Sequence, residues 1–239
     1  GVEDIVGDPT LTQPLTRMVD DGLREGMVQW VAAHVLRYHI GMDAHIVNPD
    51  HLWEPRLPPL TGDRNVAILG LGELGQACAR TLAGLGFNVV GWSRRPKFVP
   101  GIRCRHGADV LDDTLAEAEI LVLLLPLTPA TENLLNADLL ARLPQGAAIL
   151  NPGRGALIDD AALVDALDSG RIGHATLDVF RHEPLPAGHP FWAHPRITVT
   201  PHVASETRPE TASRVIAENI RRAEAGEPLL HLVDRTAGY

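Results

Sequence analysis

Asn65-Val66-Ala67-Ile68-Leu69-Gly70-Leu71-Gly72-Glu73-Leu74-Gly75 leads through a helical run to Phe87-Asn88-Val89-Val90-Gly91-Trp92-Ser93. That is strand, glycine-rich turn, helix, strand: the unit that cradles a dinucleotide pyrophosphate. Gly70 allows the tight turn, Gly72 lets backbone approach the phosphates, and Gly75 lets the helix pack close to the strand. The helix N-terminus, with Glu73 and Leu74 in its first turn, presents free N–H groups to phosphate charge. A glycine turn without a ligand would show the same residues, so the strand and helix around the motif carry the reading.

A carboxylate that binds the ribose 2′-OH usually stands about 20 residues beyond the glycines. Here the second strand ends in Ser93-Arg94-Arg95. Guanidinium groups pair with phosphate, which a carboxylate would repel. The position therefore predicts NADP(H) as cofactor, with NAD as the weaker alternative. Arg94 and Arg95 also read as a solvated pair, because Pro96 places them in a loop.

The composition agrees with a folded domain. The 239 residues are 45% hydrophobic and carry a net charge of −9, with both signs mixed along the chain. That balance argues against nucleic acid or an anionic membrane as partner. Cys78, in the helix after the glycine turn, and Cys104, in a loop-like stretch, form no CxxC and fit a reducing cytosol. No signal peptide is expected at the N-terminus, so the expected location is cytoplasmic.

Working outward, Leu23, Met27, Trp30, Val31, Val35 and Tyr38 recur at helical spacing and predict one helix over 23–45. The proline-rich 48–64 reads as a connecting arm. After Trp92 a loop and a helix near 111–119 precede the strand 120–125, which ends at Pro126. A helix near 132–143, a strand 147–150, a helix 161–168 capped by Asp159 or Asp160, strands 174–179 and 197–200, and a helix 208–225 complete the pattern. Alternating strands and helices predict an α/β fold, a doubly wound parallel sheet of the Rossmann type.

In such sheets ligands bind beyond the carboxyl ends of the strands. Arg154 follows Asn151 in a glycine-rich turn, Asp178 and Glu183 follow the strand 174–179, and His202 follows 197–200. An Arg, a carboxylate and a His so placed suit hydride transfer to a 2-oxo acid. The Arg would hold the substrate carboxylate and polarise the carbonyl. The His would deliver a proton to the new alkoxide, oriented by the Glu. His174, His182, His189 and His194 invite a metal reading, but their spacings fit no standard zinc pattern, so no metal is expected. Trp30, Trp53 and Trp192 read as packing anchors, and Trp53 also as a residue that reaches a neighbouring subunit.

Gly70 to Gly75, Asn151-Pro152-Gly153-Arg154-Gly155, the run Leu177 to Pro186 and Thr200-Pro201-His202-Val203-Ala204 resemble, in order and spacing, the D-isomer-specific 2-hydroxyacid dehydrogenases. Glu25-Gly26-Met27-Val28, His34 to His39, Trp92-Ser93-Arg94 and the ending from Val233 to Tyr239 are similar to the glyoxylate/hydroxypyruvate reductase A branch. The resemblance implies an oxidoreductase that reduces glyoxylate or hydroxypyruvate with NADPH. Arg154 would bind substrate, Glu183 and His202 would form the acid/base pair, Asp178 would lie at the nicotinamide carboxamide, and Pro126 with Leu127-Thr128-Pro129 would border the adenosine half. It also implies a homodimer, with the helix 23–45 near the contact.

On the same resemblance the chain looks like a member without most of its smaller, flavodoxin-like substrate domain. Residues 1–22 would be the remnant of that domain, 23–64 the long helix and arm, 65–205 the dinucleotide-binding domain, and 206–239 a helix and tail returning to the substrate domain. Such a chain is expected to bind cofactor and to turn over poorly. Two alternatives stay open: a dinucleotide-sensing interaction protein, and another NAD-dependent dehydrogenase of the same family.

Overall fold

The computed structural model describes residues 2–3, 5–46, 50–51 and 53–238. Gly1 and Asp4 of the opening segment, Val47, Asn48, Pro49 and Leu52 at the arm, and Tyr239 at the end lie outside the described residues.

Seven strands form one parallel sheet: β1 (Asn65–Leu69), β2 (Asn88–Ser93), β3 (Arg103–His106), β4 (Ile120–Leu123), β5 (Ala147–Asn151), β6 (Ile172–Leu177) and β7 (Ile197–Val199). Their spatial order is β3-β2-β1-β4-β5-β6-β7. The order reverses between β1 and β4, which pair from Val66↔Ile120 to Leu69↔Leu123. A crevice beyond the carboxyl ends is expected at that switch point.

Successive strand residues face opposite sides, and two cores result. Val66 and Ile68 of β1, with Val89, Ile120, Val122, Ala148 and Leu150, pack under α1 (Asp21–His39) and α3 (Glu73–Gly84). Ala67 and Leu69, with Leu121, Leu123, Ile149, Ala175 and Leu177, pack under α4 (Leu111–Ala116), α5 (Ala137–Leu140) and α6 (Asp160–Asp168). A sheet covered on both faces explains why its central strands read as continuous apolar runs.

The helix expected over 23–45 is α1, which begins where the Asp20 carboxylate accepts the N–H groups of Gly22 and Leu23 at 2.8 and 3.1 Å. It stops at His39. Gly41 then takes a left-handed conformation with φ 65°, and a short α2 (Asp43–Ile46) follows. The helix expected near 132–143 shrinks to α5, because Leu135 bridges to Ile158 instead.

The stretch around Cys104 is a correction: it is the edge strand β3, not loop. Its sequence, Arg-Cys-Arg-His, lacks the apolar alternation of a strand. It is held by pairing along β2 from Val90↔Arg103 to Ser93↔His106, and by Arg103 and Arg105, which both reach Glu117 at 2.6 and 2.5 Å.

The chain closes with α7 (Pro209–Ala225), capped by Gly226 at φ 70°. The tail then returns to the first residues: Thr16 and Leu232 form an antiparallel bridge, and Val233 N–H donates to the Leu15 carbonyl at 2.8 Å. Among the described residues no helix is long and apolar enough to cross a membrane.

Candidate active site

The glycine turn divides into two kinds of position. A Cβ on Gly75 would lie 1.8 Å from the Gly70 carbonyl oxygen, and one on Gly70, at φ 110°, would lie 2.4 Å from that of Leu124. Those two glycines are required by packing within the protein. A Cβ on Gly72 would meet nothing within 4 Å, and its φ of −74° suits any residue. Open space lies beyond Gly72, at the N-cap of α3, and no side chain caps that helix. Glu73 is exposed and Leu74 half-buried in its first turn. An uncapped helix N-terminus behind an open backbone cradle fits a pyrophosphate.

At the end of β2, Ser93 is buried and its hydroxyl donates to the Arg95 carbonyl at 2.8 Å. Ser93 thus shapes the turn that presents Arg94 and Arg95, both exposed. Lys97, which the reading of the sequence passed over, is exposed in the same loop. Across the switch point, the Pro126 carbonyl accepts the Thr131 hydroxyl at 2.7 Å, which folds the loop after β4 back on itself.

The opposite wall is built at the ends of β5, β6 and β7. Asn151 is buried; its amide donates to the Arg154 carbonyl at 2.9 Å and accepts the Gly153 N–H at 3.2 Å, closing the turn that carries Arg154. A Cβ on Gly155 would stand 2.0 Å from the Phe180 backbone, so this turn touches the loop after β6 directly. In that loop the Phe180 N–H donates to Glu183 Oε1 at 2.8 Å, and Glu183 Oε2 lies 2.6 Å from His202 Nδ1. The imidazole is half exposed, so the pair opens toward solvent. His202 itself adopts φ 56°, in the left-handed region that costs a side chain energy.

Arg154 and Asp178 have partners of their own within the chain. Arg154 already has a carboxylate partner: its Nε donates to Glu3 Oε1 at 2.9 Å, and its Nη1 to the Gly153 carbonyl at 2.6 Å. Burial pushes the Glu3 carboxyl up, but its own backbone amide and the Arg154 guanidinium outweigh this and hold it below the usual carboxylate range. A guanidinium has five N–H donors, so Arg154 keeps donors for a second carboxylate.

Asp178 is only 1% exposed. Its Oδ1 accepts from the Thr200 hydroxyl at 2.5 Å and the Val203 N–H at 3.0 Å, and its Oδ2 from the Ala204 N–H at 2.9 Å. Asp178 therefore grips the segment around His202. Nothing in the sequence signalled the Glu3 contact, whose partners are 151 positions apart.

Three of the four neighbouring histidines have other partners. His174 Nε2 lies 2.9 Å from the Thr198 hydroxyl, His194 Nε2 lies 3.2 Å from Asp168, and His189 Nδ1 accepts the Phe191 N–H. Among the described residues no three His, Cys, Asp or Glu side chains gather as a metal site would require. Trp53 is 97% exposed, so it anchors no packing in its own chain. Trp30 is half-buried and donates to Thr200 Oγ1 at 3.3 Å.

Residues 32–204 match the family model of the D-isomer specific 2-hydroxyacid dehydrogenase NAD-binding domain. A glyoxylate/hydroxypyruvate reductase A of Yersinia enterocolitica is 41% identical over 227 residues, which is 95% of this chain and 72% of the relative. A crystal structure of a D-isomer specific 2-hydroxyacid dehydrogenase from Xanthobacter autotrophicus Py2, in complex with NADPH and MES, is 46% identical. It superposes with a TM-score of 0.96 over 100% of both chains. An NADPH-dependent glyoxylate/hydroxypyruvate reductase from Sinorhizobium meliloti, in complex with NADP and sulfate, is 38% identical with a TM-score of 0.93, over 100% of this chain and 78% of that one.

Proposed function

Because the chain belongs to the D-isomer specific 2-hydroxyacid dehydrogenases, a family of oxidoreductases, we propose that it reduces a small 2-oxo acid, glyoxylate or hydroxypyruvate, to the D-2-hydroxy acid with NADPH. The observation that carries this reading is the 2.6 Å contact between Glu183 and His202, at the strand ends that face the glycine turn's crevice.

When bound, NADPH supplies the hydride. The backbone at Gly72 and the first turn of α3 would hold its pyrophosphate, in a turn whose close packing Gly70 and Gly75 allow. The loop of Arg94 and Arg95 takes the 2′-phosphate, whose charge those guanidinium groups match. Pro126 borders the adenosine half.

The donors of Arg154 not used by Glu3 and Gly153 bind the substrate carboxylate and draw electron density from the carbonyl. With Nδ1 directed at Glu183, His202 keeps Nε2 for the substrate. The protonated ring gives its Nε2 proton to the carbonyl oxygen as charge develops there. Glu183 fixes the ring plane by holding Nδ1.

The test is a titration with NADPH and with NADH, followed by hydroxypyruvate or glyoxylate in the same cuvette. NADPH should bind more tightly than NADH, and its absorbance should fall when the oxo acid is added. His202→Ala should bind NADPH as the parent does and lose about 100-fold or more in rate. Undiminished turnover in that variant would remove His202 from the proton transfer. Replacing Arg94 and Arg95 by Ala should weaken NADPH more than NADH; equal weakening would assign the pair to ordinary surface.

A further inference from the structure

His202 stands at φ 56°, a left-handed conformation uncommon outside glycine, and contacts from beyond its own loop help hold the segment there. They come from α1, whose Leu23, Gly26 and Trp30 share one face at spacings of three and four. Each touches the segment 200–205. The Leu23 carbonyl accepts the Ser205 hydroxyl at 2.7 Å. A Cβ on Gly26 would stand 3.1 Å from the Ala204 carbonyl oxygen, so helix and loop approach as closely as a glycine allows. The Trp30 indole N–H reaches Thr200 Oγ1 at 3.3 Å.

Proton counting gives this chain a direction. The indole nitrogen only donates, so Thr200 Oγ1 accepts there. Its one hydroxyl proton then goes to Asp178 Oδ1 at 2.5 Å. The remaining acceptors of that carboxylate hold the N–H groups of Val203 and Ala204, the two residues after His202. The Asp178 carbonyl holds the His202 N–H itself at 2.9 Å. Trp30 thus reaches the His202 segment through Thr200 and Asp178, while Leu23 and Gly26 fix its other end at Ser205 and Ala204.

We propose that the Leu23–Gly26–Trp30 face of α1 is the positioning device that sets His202 at the distance and angle from Glu183 needed for proton transfer, with Trp30 acting through the Thr200 hydroxyl and the Asp178 carboxylate. Trp30 and Thr200 are positioning residues. Neither touches the reacting atoms. The inference rests on the reading of His202 as proton donor, and its test separates the two.

Thr200→Val keeps the shape and removes the hydroxyl; Thr200→Ser restores the hydroxyl; Trp30→Phe keeps an aromatic ring and removes the indole donor. Thr200→Val and Trp30→Phe should lower kcat by about tenfold or more, since small displacements of a proton-transfer group cost that much. NADPH affinity and the KM for the oxo acid should stay unchanged. Thr200→Ser should recover most of the rate, which a mere packing defect would not allow.

A second readout needs no turnover. The short Nδ1–H bond from His202 to Glu183 should give a far-downfield proton resonance in the parent and in Thr200→Ser, and lose it in Thr200→Val. A Thr200→Val variant that keeps the parental kcat overturns the positioning role. If instead His202→Ala keeps full turnover while the resonance still depends on the Thr200 hydroxyl, the functional reading falls and the positioning stands.

Discussion

The turn after β1 and the segment after β7 both end parallel strands, and both bring backbone to the same crevice, yet they are built in opposite ways. The first is local. Gly75 packs against the Gly70 carbonyl and Gly70 against that of Leu124, so the missing Cβ atoms of two glycines shape the cradle. The second is assembled from afar. His202 is bonded to Asp178, 24 positions earlier, and to Glu183, and its neighbours Thr200, Ala204 and Ser205 meet a face of α1 near residues 23–30. A local site is encoded by steric exclusion, which a single residue type can satisfy. A remote one is encoded by the matching of donors and acceptors, and no single position displays it.

The largest effect should come from Gly75→Ala. Its Cβ has no room 1.8 Å from backbone oxygen, so about 3 kcal/mol of stability or more should be lost, with cofactor binding, in thermal melts and NADPH titrations. A parental melting temperature would break the local half of the comparison.

Asp178→Asn should follow. The amide turns one acceptor oxygen into a donor facing N–H groups, at a cost of about 1–3 kcal/mol. It should lower kcat as well, because the His202 segment loosens. Equal stability with reduced NADPH affinity alone would mean that Asp178 serves the cofactor and not the loop.

Gly72→Ala sharpens the contrast within the turn itself. None of the described residues meets its Cβ, so melting should be unchanged while NADPH binds about tenfold less tightly, about 1.4 kcal/mol. Lost stability would show that all three glycines serve packing.

The smallest effect is a slope. At the far end of the α1 contact, burial and then the charge of Arg37 hold the His174 imidazole down, to about 4. In the unfolded chain it titrates near 6.5. Between those values the unfolded chain binds more protons, so stability should fall as pH is lowered through that window. Chemical denaturation of His174→Asn should show a shallower decline than the parent; an identical decline would move the effect to His34 and His39, which burial lowers in the same direction.

The parts of the fold that the sequence shows best are those with strong periodicity. The apolar runs of β1, β4 and β5 are buried on both faces and read directly as strands. β3 does not, because Arg103 and Arg105 satisfy an edge strand through Glu117 and not through a core. The end of α1 was overread for a related reason: apolar spacing continues past His39, while Gly41 turns the chain.

Of the candidate site, Arg154, Glu183 and His202 stood out because charged residues beside glycines and prolines at strand ends are visible in one dimension. The Glu3 partner of Arg154 did not, and neither did the Trp30–Thr200 bond. An acid near the start of a chain and a tryptophan in a helix look like any others until folding brings them 151 and 170 positions along the chain.

The sequence by itself determined the parallel sheet, the glycine cradle and the identity of the groups at the strand ends, because periodicity, missing Cβ atoms and titratable side chains are properties of single residues and short windows. Only the tertiary structure decided that Asp178 spends its carboxylate on the loop beside His202, and that α1 reaches the same loop. Hydrogen bonds across such separations depend on where distant backbones are held, and that is set by the two packed cores.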